Sequence, residues 1–254
     1  MMFQAQNLAS LPGLRHGFFG RQGGHSEGVW ASLNVGQRSG DDLARVAANR
    51  ARCAEALGSA ADRLVIARQV HGTVCAKVDA PWDGEPADAD GLATRRPGLL
   101  LGIVTADCGP VLFADAGAGV IGACHAGWRG ALDGIAEATL AAMRDLGADI
   151  GRVHAAIGPC IASASYEVGP EFRDRFLAAD PASADLFAVP PGGSRPHFDL
   201  KAFLARRLQR AGVASVEVLP DDTCADEAGF FSYRRTTLRG EGRFGLQLSA
   251  IGLA

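Results

Sequence analysis

The sequence has no apolar run that approaches a membrane span. Its most hydrophobic stretch, LLLGIVTA at 99–106, is far short of the roughly 20 residues that a bilayer core requires. The N-terminal segment MMFQAQNLASLPGLRHGFF lacks the basic stretch and apolar core of an export signal. Charge of neither sign predominates. The 25 Lys and Arg stand against 28 Asp and Glu, a net charge of −3, which argues against a cationic nucleic-acid binder. There is no internal repeat or low-complexity tract, and with 48% apolar and 21% charged residues the chain is neither disordered nor fibrous. Tyrosine is scarce, at 2, whereas the 33 glycines imply many tight turns and close backbone approaches. The 6 cysteines, without an export signal, read as reduced thiols rather than a disulfide framework. These absences predict a cytoplasmic protein with a sizeable core that engages neither membrane nor nucleic acid.

Apolar periodicity predicts helices over 41–57, 129–146, 171–178 and 200–211. Asp41 and Asp199 are the candidate caps at their starts, and Gly58, Gly147 and Gly212 the stops. Apolar runs punctuated by Gly or Pro predict strands over 64–70, 73–78, 99–105, 111–114, 120–125, 153–157, 215–219 and 243–251. In the last of these, Phe244, Leu246 and Leu248 alternate with polar or small residues, which predicts one solvent-facing side. Several strands in succession before a helix argue against a pure βαβ repeat. The expectation is an α+β (mixed α/β) fold with a central mixed β-sheet core flanked by helices. The linker-like stretches 79–90 and 180–196 read as surface loops, so one domain over 1–254 is expected.

Three segments concentrate reactive side chains where a strand gives way to glycine: RQVHG (68–72), TADCGP (105–110) and ACHAGWRG (123–130). Ligand crevices open at strand ends in α/β sheets. Two imidazoles and a thiolate, from His71, His125 and Cys108, suit a catalytic zinc with a fourth position left for water or substrate. No local metal motif such as HExxH or CxxC supports them, and the residues alone leave a second reading open. In it His71 caps a turn, Cys108 packs as a small hydrophobe and His125 is a hydrogen-bonded core imidazole. Strand parity sends the side chains of Cys124 and His125 to opposite faces, and likewise separates Asp107 from Cys108. Gly127 and Gly130 precede or open a helix that also carries Arg129, an arrangement that suits an anion or simply allows close helix–sheet packing. The spacing matches neither a dinucleotide fingerprint nor a P-loop.

Six segments occur in order: HGFFGRQGGHSEGVWASLNVG (16–36), RQVHG (68–72), TADCGPVLFAD (105–115), IGACHAGWRG (121–130), AIGPCIASASYEVGPEF (156–172) and FFSYRR (230–235). Together they resemble the bacterial peptidoglycan-editing-factor family, also called the polyphenol oxidase or laccase-domain family, from about residue 14 to the C-terminus. The resemblance implies a zinc site at His71, Cys108 and His125. It also implies phosphorolysis of adenosine, inosine and methylthioadenosine, with adenosine deamination alongside. Copper-dependent phenol oxidation is described for some members, and genetics ties the family to editing of cell-wall precursors. One departure is His25, where a small apolar residue is expected.

The residue inventory bears on these activities. A full multicopper centre needs more imidazoles than His16, His25, His71, His125, His154 and His197 provide. Phenol oxidation would therefore have to use a single Cu²⁺ at the zinc site. The H-x-E and P-C-x-x-C pair of cytidine-deaminase-type sites is absent; the nearest segment, Pro159 to Ala162, lacks the second Cys. Phosphorolysis requires a phosphate pocket, for which Arg50 and Arg129 are the candidates, with purine nucleosides and phosphate as the partners and Zn²⁺ as cofactor. Cys160, Tyr166, Trp128, Arg234 and Arg235 lie in the shared segments and each also reads as a packing residue, while Cys224 reads either as near the pocket or as part of a solvated loop. The alternatives are an amidase of cell-wall muropeptides and, outside enzymes, a metal-binding scaffold.

Overall fold

A computed structural model describes residues 1–254. Its strands, in chain order, begin with β1 (Met2–Phe3), β2 (Leu14–Phe19), β3 (Leu64–Ile66), β4 (Cys75–Lys77), β5 (Gly91–Thr94) and β6 (Leu100–Thr105). They continue with β7 (Gly109–Asp115), β8 (Val120–Ala126), β9 (His154–Ile157), β10 (Phe187–Ala188), β11 (His197–Phe198), β12 (Ser215–Val218) and β13 (Gln247–Leu253). The helices are α1 (Gln6–Ala9), α2 (Leu43–Ala56), α3 (Trp128–Asp133), α4 (Ile135–Asp145), α5 (Pro170–Ala179), α6 (Leu200–Arg210) and α7 (Tyr233–Leu238).

The mixed α/β class holds, and its core is two stacked sheets. One has five strands in the order β1-β2-β13-β6-β3, the other six in the order β12-β9-β7-β8-β5-β4, and both mix parallel and antiparallel pairs. Alternation along each strand sorts side chains into layers. Leu112, Ala114, Ile121 and Ala123 of the six-stranded sheet meet Phe18, Leu101, Ile103 and Ile251 of the other between the sheets. Val111, Phe113 and Cys124 face outward onto Ile135, Leu140 and Met143 of α4 and Phe203 and Leu204 of α6. On the far side, Leu100, Leu248 and Ala250 pack on Cys53, Ala54 and Leu57 at α2. The order is helix, sheet, sheet, helix. With both faces of both sheets covered, the central strands read as continuous apolar runs.

Several elements depart from the sequence expectation for local reasons. Helix 129–146 is two helices, because Gly134 adopts φ +102°, ends α3 and opens α4. A residue without Cβ takes that conformation at little cost. Asp42 rather than Asp41 caps α2, accepting the N–H groups of Ala44 at 2.8 Å and Arg45 at 3.1 Å. Asp41 instead accepts from Ser26 and Asn34. The strands expected over 64–70 and 73–78 shrink to β3 and β4, since the carboxylate of Asp90 takes the N–H groups of Val70, His71 and Gly72. The last strand begins at Gln247 and has no solvent-facing side: β13 lies inside its sheet between β2 and β6 and is buried up to Gly252. The stretch 180–196, expected as loop, contains a short helical turn and β10, which pairs with β11. All six cysteines are free, and no helix is long and apolar enough to cross a membrane.

Candidate metal centre

Three chain segments converge at one end of the stacked sheets. The loop after β3 carries His71, the turn between β6 and β7 carries Cys108, and the end of β8 carries His125. Their ligand atoms all lie within 4.8 Å of one another. The two imidazoles meet edge to face with ring centres 4.7 Å apart. His125 is buried, Cys108 half-buried and His71 exposed, so the group opens to solvent on one side.

Asp90 organises this group from behind. It is only 1% exposed. Its Oδ1 accepts from His125 Nδ1 at 2.8 Å and from the His71 N–H at 3.0 Å, while Oδ2 accepts from Gly72 at 2.7 Å and Val70 at 3.1 Å. Burial pushes the Asp90 carboxyl up, but these bonds, led by His125, outweigh burial and hold it below its ordinary value. With Asp90 ionised, a neutral His125 carries its proton on Nδ1 and turns Nε2 toward His71 and Cys108, the arrangement in which a carboxylate orients a histidine that could hold a metal. His71 sits at φ +62°, a left-handed conformation uncommon for a non-glycine residue. The bond from its N–H to Asp90 holds it there.

The thiol is tuned in the same way. Burial raises Cys108, yet the charge and hydrogen bonds of His125, then those of His71, outweigh burial and bring it down to about 6. His125 answers in the opposite direction: burial pulls it down, and Cys108 and Asp90 together carry it up to about 9. By contrast, burial pushes Cys75 up to about 11 and both Cys53 and Cys160 up to about 12. Cys124 points into the helix-facing core, fully buried, as strand parity requires.

Gly127 leaves room for this arrangement. A Cβ there would stand 3.0 Å from His71 Cδ2 and 3.1 Å from Cys108 Sγ. Gly130 performs a similar role one turn later, where a Cβ would lie 3.0 Å from the Gly72 carbonyl. The close approach of α3 to the His71 loop therefore depends on both glycines.

Asp107 faces away from Cys108, and its backbone is at φ +83°. Its carboxylate accepts from Thr223 at 2.7 Å, Ser232 at 2.9 Å and the Arg234 N–H at 2.6 Å. This anchors the segment around α7 to the Cys108 turn. Burial raises the Asp107 carboxyl, and those bonds only partly counter it. Arg234 lies over the Tyr166 ring, 5.4 Å from its centre. Burial, and then the nearby Cys108, raise Tyr166.

The two candidate phosphate arginines sit differently. Arg129 is exposed at the start of α3 with its guanidinium 5.0 Å from the Trp128 ring centre, and Arg175 of α5 covers the same ring at 5.3 Å. Trp128 itself packs on Phe172 at 5.1 Å. Arg50 is half-buried on α2, where its Nε donates to the Val35 carbonyl at 2.8 Å. Burial lowers it to about 10. Val35 in turn bonds to Leu246, next to Gln247, which pairs with Thr105 at the end of β6. Arg50 thus belongs to the sheet end that delivers Asp107 and Cys108, without bonding to His71, Cys108 or His125. The remaining histidines are engaged elsewhere: His16 accepts from Ala5, His154 bonds to Ser215 and His197 to the Ser163 carbonyl. His25 bonds through its backbone to Asn49. One His/Cys group is assembled, and a three-copper cluster is not.

Sequence reasoning missed Asp90, which closes an acidic stretch that reads as solvated loop. The available signal was its place directly before the apolar strand β5.

Residues 15–254 match the family described as multi-copper polyphenol oxidoreductase laccase. A Deinococcus radiodurans protein named purine nucleoside phosphorylase is 43% identical over 254 residues, covering 99% of this chain and 92% of its own. A protein from an unknown prokaryotic organism, named adenosine deaminase RL5, is 34% identical over 82% of this chain and 83% of its own. Among solved structures, a Neisseria meningitidis protein, NMB0706, superimposes with a TM-score of 0.87 at 31% identity, covering 100% of this chain and 98% of that one.

Proposed function

The chain belongs to the multi-copper polyphenol oxidoreductase laccase family, and from that premise we propose that it is a zinc-dependent purine nucleoside phosphorylase that also deaminates adenosine. The observation that carries this reading is the convergence of His71, Cys108 and His125 within 4.8 Å. The donor set fits zinc: two imidazoles, a thiol already biased toward thiolate, and a carboxylate behind one imidazole. At tetrahedral zinc, ligand atoms stand about 3.5 Å apart, so only small side-chain adjustments are needed. When bound there, zinc supplies a fixed positive charge that orients and polarises an oxygen nucleophile. Cu²⁺ would bind the same donors, and more tightly at equilibrium.

In phosphorolysis a phosphate oxygen bonds to C1′ of the ribose. The bond from C1′ to the purine nitrogen breaks, its electron pair leaves with the base, and the base takes up a proton. The protein's task is to hold phosphate against the sugar and to balance its charge. Arg129, exposed beside Gly127, and Arg50, without a carboxylate partner, are the side chains assigned to that task. Asp90 keeps His125 oriented throughout. In deamination water replaces phosphate as nucleophile and attacks the purine carbon bearing the amino group, which leaves as ammonia. The names of the similar proteins, phosphorylase and adenosine deaminase, support both outcomes from one site.

The test is direct. Zinc-loaded protein mixed with adenosine and phosphate yields adenine and ribose 1-phosphate, and without phosphate it yields inosine. A preparation with stoichiometric zinc that forms neither product contradicts the proposal.

A further inference from the structure

A second concentration of charge lies outside the residues used above. Arg21, Arg235, Arg239 and Arg243 line a cavity of about 230 Å³ together with Glu227 and Glu241. The two carboxylates are not free to neutralise all of it. Glu227 forms a two-point pair with Arg239, at 2.6 and 2.7 Å, and Glu241 lies 4.0 Å from the same guanidinium. Arg21, Arg235 and Arg243 make no ion pair.

What holds these three in place is neutral. Arg21 Nε donates to the Ala31 carbonyl at 2.8 Å and Nη1 to that of Glu227 at 3.2 Å. Arg235 donates to the carbonyls of Thr223 and Cys224, both at 2.9 Å, and of Phe230 at 2.6 Å. Arg21 lies over the Phe231 ring at 4.6 Å, and Arg243 over that of Trp30 at 5.9 Å. Carbonyls and ring faces fix the direction of a guanidinium without cancelling its charge. Burial, and then the repulsion of Arg235, lower Arg21 against the smaller opposing pull of Glu227 and Glu241, so like charges are kept close together here.

We propose that this cavity is an anion site that takes the phosphate group of a small molecule, separately from the His71–Cys108–His125 group, with which it shares no residue. Planar guanidiniums match phosphate oxygens in pairs. The cavity is smaller than the roughly 300–1,000 Å³ of drug-sized pockets, which suits free phosphate or a compact phosphate monoester rather than a long chain. An oxyanion there relieves the repulsion between Arg21 and Arg235.

The experiment is calorimetric titration of the zinc-loaded protein with inorganic phosphate and, separately, with ribose 5-phosphate. Arg243 is exposed, and apart from its place over Trp30 its one hydrogen bond is 3.5 Å long, to Gly40, so its variants are expected to keep the fold. Arg243→Glu is expected to weaken binding at this cavity about tenfold and Arg243→Lys to retain most of it, whereas Cys108→Ala removes only phosphate held at the metal centre and leaves the cavity's binding event. Tighter binding of ribose 5-phosphate assigns the site to monoesters, and tighter binding of phosphate to the free ion. Binding lost in Cys108→Ala but kept in Arg243→Glu, or no binding at millimolar ligand, overturns the proposal. This outcome is independent of whether the protein cleaves nucleosides.

Discussion

Asp90 and His125 form a buried carboxylate–imidazole pair 2.8 Å apart, and the same Asp90 oxygen accepts the N–H of His71. One side chain thus sets the orientation of the His125 ring and the backbone of His71. Asp90→Asn removes the charge behind His125 and presents an amide donor to backbone N–H groups. It is expected to weaken zinc binding about 10–100-fold, measured by competition with a chromophoric chelator. Unchanged affinity would show that the pair does not organise the centre.

Thiol chemistry in the chelated protein gives a second prediction. With Cys108 down at about 6 and Cys53, Cys75 and Cys160 up at about 11 to 12, iodoacetamide at about pH 6.5 should modify Cys108 ahead of those three. The sign follows from the direction of the shift: the thiolate is present above about 6 and is lost as pH falls through it. Bound zinc should protect Cys108, and zinc affinity should fall as pH drops through about 9, where a proton competes for the His125 ring, and further below about 6, where protons compete for sulfur. Peptide mass spectrometry across a pH series reads both effects.

Gly127→Ala tests the packing of the centre. The backbone at φ −66° and ψ 164° accepts alanine readily, so the fold should survive. The new methyl would stand 3.0 Å from His71 Cδ2 and 3.1 Å from Cys108 Sγ. A displacement of a few tenths of an ångström in two ligands is expected to cost about 10–100-fold in kcat/KM, with an unchanged circular dichroism spectrum. Full activity would remove the steric argument.

Arg129→Ala is expected to raise the KM for phosphate about tenfold, the loss of one charge-assisted hydrogen bond of about 1.5 kcal/mol, with zinc content unaltered. Arg175→Ala, which leaves Trp128 equally short of one covering guanidinium, is the control for packing. Equal effects of the two variants would point to the tryptophan rather than to phosphate. Arg50→Lys keeps a charge but loses the planar fork, and it too should raise the phosphate KM.

Much of the fold was legible because long apolar runs form the central strands and because Gly147 and Gly212, at φ +103° and +83°, end helices where expected. The pairing of those strands into two sheets was not, since it rests on contacts such as β13 with β6 that bring Gln247 opposite Thr105. β2 and β5 were missed: LRHGFF carries Arg and His, and GLAT is too short to stand out. At the centre, parity correctly separated Cys124 from His125, whereas Asp107 and Cys108 lie in a bend, Asp107 at φ +83°, where strand alternation does not apply. The resemblance named the three residues that the structure brings together. Asp90 was hidden because a buried carboxylate at the end of DAPWDGEPADAD looks the same, in one dimension, as a solvated one. Its partners lie about 20 and 35 residues away along the chain.

Whether turnover depends on zinc decides whether the His71–Cys108–His125 group is catalytic. Protein stripped by chelation is titrated with zinc while adenine release from adenosine and phosphate is followed. The rate is expected to rise linearly to one zinc per chain and then level, with no rise in Cys108→Ser. A rate that is indifferent to zinc, or that recovers equally in Cys108→Ser, would contradict that role.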